Sequence, residues 1–154
     1  MKLQRNIQLS LAILVALAVA PDAFAGGGAR TISVISKGAG ITFVDADRSG
    51  KPSVGDYEIG SSVYVSPKSG KVIGHGSVMC TQIDAVGASY QCQGVTHFAG
   101  GDVVTAGLFS PASKTGSQAI VGGTGVYTGV TGLVTVTWLD TKFARARVVL
   151  KLQA

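Results

Sequence analysis

The sequence predicts an all-β domain, a sandwich or a barrel, and three observations carry that expectation. After residue 25 the chain holds 18 Val and 12 Thr against 5 Leu, a bias toward side chains that suit a pleated, half-buried surface. Runs rich in such residues recur roughly every 8–15 residues, each bounded by Gly, Ser, Pro or Asp. No helix-length stretch shows a 3.6-residue period, which argues against parallel βαβ folds and the nucleotide sites they carry.

The elements follow in chain order. Lys2 and Arg5 precede an apolar stretch from Leu9 to Ala20, and Ala23-Phe24-Ala25 forms a small-x-small end before Gly26, the pattern of a secretory signal peptide over residues 1–25. A membrane anchor needs about 20 apolar residues, more than this stretch supplies. No cysteine follows the expected cleavage point to accept a lipid. The expectation is a secreted or periplasmic protein without a membrane anchor. Residues 26–40 are read as an N-terminal extension or first strand, and residues 41–154 as the main domain. Strands are expected over 31–37, 41–45, 57–65, 72–84, 88–98, 103–109, 117–121, 133–139 and 142–152, eight or nine in all.

Charge narrows the function classes. Charged residues make up 14% of the chain and hydrophobic ones 46%, which excludes a disordered tail or a coiled coil. Removing the leader lowers the net charge from +5 to +4. The basic residues stand singly, without interleaved aromatics, so no nucleic-acid partner is expected.

The two cysteines suggest local pairing. If positions summing to 172 face each other across the turn at Asp84-Ala85-Val86-Gly87-Ala88, then Cys80 lies opposite Cys92. In an oxidising compartment that pair is read as a cross-strand disulfide, worth about 3 kcal/mol for a loop of about a dozen residues. The alternative is a reactive thiol. The same register sets His75 opposite His97 on the other sheet face, either as a two-histidine site for zinc or as surface histidines. Asp45, Asp47, Ser49 and Asp56, with Gly50 between, match the oxygen-ligand spacing of a calcium loop. Asp, Ser and Gly also build ordinary tight loops, because their side chains bond the nearby backbone. The glycine cluster at residues 122–132 lacks the lysine and Ser/Thr of a phosphate-binding loop, and no cofactor is expected from it.

That cluster, Ala119-Ile120-Val121-Gly122-Gly123-Thr124-Gly125-Val126-Tyr127 followed by Gly129 and Gly132, resembles the Gly-Gly-Thr-Gly-aromatic signature of dirigent proteins and allene oxide cyclases. Val54-Gly55-Asp56, the strand over 73–80 with Gly74 and Gly76, and Phe98-Ala99-Gly100-Gly101-Asp102 followed by Gly107 fall in the family's order. The resemblance covers about residues 41–152. It implies a single antiparallel eight-stranded β-barrel, commonly a homotrimer, in an exported bacterial-type member. Cys80 falls where plant cyclases carry a lumen cysteine, so Val78, Cys80, Tyr90 and Phe98 are expected to face the cavity. Arg145 and Arg147 are candidate lumen cations, with a solvated face as the alternative. Thr42 and Val44 stand where the cyclases place Glu and Asn, and Gly55-Asp56-Tyr57-Glu58-Ile59 lacks the family's proline. No lumen acid is identified. The resemblance therefore implies a barrel that binds a hydrophobic small molecule and steers a cyclisation or coupling; the alternative is a secreted, non-catalytic module with a closed barrel.

Overall fold

The computed structural model describes residues 28–84 and 89–154. The leader expected over residues 1–25 and most of the turn at 84–88 lie outside them. Eight strands close into one antiparallel barrel, each next to its sequence neighbour: β1 Arg30–Val44, β2 Tyr57–Val65, β3 Val72–Gln82, β4 Tyr90–Phe98, β5 Gly101–Phe109, β6 Thr115–Gly123, β7 Thr131–Trp138 and β8 Arg145–Gln153. β1 closes the wall against β8, so among the described residues every strand has a partner on each side.

The runs expected at 31–37 and 41–45 are one long strand. A register shift between Gly38 and Gly40 lets it bend while pairing with β2 on one side and β8 on the other. Because side chains alternate across a strand, that shift also exchanges which parity faces inward. Beyond it Ile41 pairs with Gly60 and Phe43 with Glu58, whereas Thr42 and Val44 pair with Ile59 and Tyr57 on the outer face. Thr42 and Val44 therefore do not occupy the lumen.

One half of the barrel is filled. Val34, Phe98, Val103, Ile120, Val134, Val148, Leu150 and Leu152 pack there with Tyr127 and Val130. The last two belong to the glycine-rich segment, where a one-turn 3₁₀ helix, Gly125–Tyr127, folds under the barrel. Tyr127 meets Phe98 with ring centroids 6.1 Å apart. Hydrogen bonds from Thr124 N to Asp102 O and from Val126 N to Gly100 O hold the segment in place. Gly125 has φ +59, and a Cβ there would run into the Gly100 carbonyl oxygen. The glycine signature thus forms the barrel's floor, where two backbones approach too closely for side chains.

Candidate functional site

At the opposite end the barrel is open, with a cavity of about 360 Å³. This end collects the start of β2, β4, β6 and β8 and the finish of β1, β3, β5 and β7. Its wall alternates with the strands: Glu58, Gly60, Ser62 and Tyr64 from β2; Val78 and Cys80 from β3; Tyr90, Cys92, Gly94 and Thr96 from β4. Across the cavity stand Phe109 and Gln118, then Val136, Trp138 and Phe143. Small residues on β2 and β4 leave the space, and large apolar ones on β5, β7 and the turn before β8 border it. Four aromatic rings follow one another around the mouth, Tyr90, Phe109, Trp138 and Phe143, with successive centroids 6.5, 6.2 and 5.0 Å apart.

The expected register is present. Cys80 pairs with Cys92 and His75 with His97. The two cysteines form a disulfide on the lumen wall. Val78, Cys80 and Tyr90 line the cavity, while Phe98 is buried in the filled half. Arg145 and Arg147 are a correction. On β8 the inward residues are Ala146, Val148, Leu150 and Leu152, and both arginines are exposed on the outer face. The strand begins at Arg145 and not at residue 142; Phe143 sits in the preceding turn with φ 55, so it reaches the mouth without sharing the arginines' strand face.

Sequence reasoning missed Glu58, the acid among the cavity-lining residues. Its signal was present as Glu58-x-Gly60-x-Ser62-x-Tyr64, one alternating face of a strand. Which face of β2 turns inward depends on pairing with β1 and β3, and register shifts occur in both ladders. The phenol of Tyr90 is held above its ordinary pKa, first by burial and then by the Glu58 charge, with smaller contributions from Asp84 and Asp56.

The loop joining β1 to β2 borders the mouth. Ligand atoms of Asp45, Asp47 and Asp56 lie within 4.8 Å of one another, a set of hard oxygen donors suited to a divalent cation. The loop's own groups also satisfy them. Asp45 accepts hydrogen bonds from Ser49 N and Gly50 N, Asp47 from Ser49 N and the Ser53 hydroxyl, and Asp56 from Ala46 N and Ser53 N. The Ser49 hydroxyl donates to Lys51 O within the same turn. Hydrogen bonds from Ser49 and then Ser53 lower the Asp47 pKa from 3.8 to about 2. A carboxyl depressed in the folded state stabilises the fold fully above its unfolded value near 4, and that contribution disappears as the pH falls toward about 2. Thermal unfolding of the native protein and Asp47→Asn should therefore differ at pH 5 and converge by pH 2; a gap that stays constant over that range would contradict this assignment.

The histidines lie on the outer wall. His97 Nδ1 is 2.7 Å from Asp102 Oδ1, and the Thr124 hydroxyl donates to the other oxygen of Asp102. That contact lowers the Asp102 pKa. Among the described residues His75, His97 and Asp102 do not bring three ligand atoms within 4.8 Å of one another.

No protein-family model matches the chain, and no curated protein matches it in sequence. Solved structures do. A pyocyanin demethylase is 26% identical, with a TM-score of 0.69 over 80% of this chain and 100% of that one. A pterocarpan synthase dirigent protein, PsPTS1, is 18% identical, with a TM-score of 0.63 over 81% of this chain and 93% of that one. The Diels–Alderase AbmU from Streptomyces koyangensis is 16% identical, with a TM-score of 0.65 over 84% of this chain and 70% of that one.

Proposed function

We propose that this closed eight-stranded barrel, a fold it shares with dirigent proteins and Diels–Alderases, belongs with the allene oxide cyclase/dirigent-like barrels and is an exported protein that binds a hydrophobic small molecule in its lumen and steers a cyclisation or coupling of it. The observation that carries this reading is the open cavity of about 360 Å³, which falls in the size range of small-molecule sites. Its exposed wall is largely apolar, and polar groups are set into it, among them Glu58, Lys142, Thr96, and Thr105 hydrogen-bonded to Gln118 at 3.0 Å.

Such a site acts by holding a flexible molecule in one reactive shape and excluding water from it. Confinement alone favours ring closure, because it removes conformations that would have to be lost on the way to the transition state. The disulfide and the N-terminal leader pattern support export. Neighbours bearing the fold include a Diels–Alderase and a cyclase described as catalysing a [4 + 2] cycloaddition, which supports ring formation as the reaction class.

Titration with the neutral fluorophore N-phenyl-1-naphthylamine is expected to show saturable one-to-one binding, and native mass spectrometry of the exported protein a copurifying hydrophobic compound. Absence of saturable binding of the fluorophore and of every other flat apolar probe would refute the reading.

A further inference from the structure

The cavity wall joins one carboxylate to a chain of aromatic rings, and that combination selects a ligand class. Glu58 is half-buried on β2, with Phe43 and Cys80 as its register partners, neither of which has a side-chain hydrogen to donate once the disulfide is formed. Among the described residues Glu58 makes no ion pair and no side-chain hydrogen bond. Lys142 reaches the same cavity from the turn between β7 and β8, but the two charges do not pair.

An unpaired carboxylate in an apolar recess loses part of its hydration without gaining a partner, and a cation brought by a ligand removes that penalty. The rings of Tyr90, Phe109, Trp138 and Phe143 supply the second half of the site, because the face of an aromatic ring attracts a cation and also packs a flat apolar molecule. A small inorganic cation would have to surrender a tightly held water shell to enter such a wall, where Glu58 is the one carboxylate among the lining residues. A cation whose charge is spread over a ring sheds its water at little cost.

We infer that the lumen takes a flat organic cation, such as an N-alkylated heteroaromatic ring, with Glu58 as its counter-ion and the four mouth rings as its wall. This assignment rests on the lumen being a small-molecule site, and it specifies the charge of what enters.

The test uses two bicyclic probes of the same shape, N-methylquinolinium and 1-methylnaphthalene, which differ in carrying or lacking a positive charge. Calorimetric titration of the exported protein at physiological salt is expected to give about 10-fold or greater preference for the cation. In Glu58→Gln, which keeps side-chain size, the cation should weaken by about 10-fold while the neutral probe is unchanged. Lys142→Ala should bind the cation more tightly, because it removes a like charge from the cavity.

Equal affinity of the native protein for both probes overturns the cation assignment and leaves the pocket reading standing. A cation preference that survives Glu58→Gln in a folded variant overturns the role of Glu58. Failure of both probes, together with failure of the neutral fluorophore, removes the pocket reading and the cation assignment with it.

Discussion

Replacing Asp56 by alanine is expected to lower the free energy of unfolding by about 3 kcal/mol, a magnitude typical of removing a buried carboxylate that accepts several hydrogen bonds. Asp56 has no solvent exposure. Its carboxylate accepts from Ala46 N at 2.8 Å and from Ser53 N at 2.7 Å, with the Ser53 hydroxyl at 3.3 Å. Its backbone is tied to β3, since Gln82 N donates to Asp56 O and the neighbouring Gly55 N donates to Gln82 O. The side chain therefore fixes both ends of the loop between β1 and β2 to the rim of the barrel. Alanine leaves two amides without an acceptor and a void in their place. Asparagine preserves one acceptor oxygen but points an amide group at a donor, so its cost should be smaller, about 1–2 kcal/mol. Urea unfolding should show a lower midpoint with an unchanged slope for Asp56→Ala. A loss below about 0.5 kcal/mol, the scatter of ordinary surface substitutions, would show that the loop does not depend on this carboxylate.

Gly116→Phe is expected to abolish binding in the lumen while leaving the fold intact. Gly116 lines the cavity from β6, and a Cβ added there meets only the Phe109 ring, at 3.6 Å, which is ordinary contact. A phenyl group at this point has the open lumen to enter, and it fills space that N-phenyl-1-naphthylamine would need. The expected result is at least about 100-fold weaker binding of that probe, because a ligand pocket filled by an internal side chain must be emptied before it can bind. Stability should change little or rise, since an apolar ring is buried without displacing a packed neighbour. Unaltered probe binding in a folded Gly116→Phe variant would locate the ligand elsewhere.

Much of this molecule was legible before folding was considered. Val- and Thr-rich runs separated by turn residues marked nearly every strand, because strand formation on a half-buried surface is a local property of side-chain shape. The turn between β3 and β4 was short enough that counting across it set the register, which placed Cys80 opposite Cys92 and His75 opposite His97. A short hairpin leaves few alternatives, so parity carries over from one strand to the next. The glycine cluster was recognisable as a family signature, although its position as the floor of the barrel was not.

The site was legible on one hairpin and lost on the strands beside it. Val78, Cys80 and Tyr90 lie on the hairpin whose register the spacing defined, and they line the cavity. Glu58 lies one strand away, across a turn and a register shift, where counting no longer tells inside from outside. Thr42 and Val44, which stand where the cyclases place Glu and Asn, lie on the outer face beyond the shift at Gly38/Gly40. Arg145 and Arg147 failed for a related reason: grouping them with Phe143 assumed a strand that starts at residue 142, whereas the chain is still turning there.

What the sequence determined by itself was the β class, the positions of most strands along the chain, the register of one hairpin and the glycine-rich segment, all set by interactions between residues close along the chain. Only the tertiary structure decided which half of the barrel is packed, which half is open, and that Glu58 shares the open half with four aromatic rings. Those outcomes depend on closing β1 against β8 and on the bulges that shift parity between strands. Each is a long-range event, and a displacement of one residue reverses every side chain beyond it.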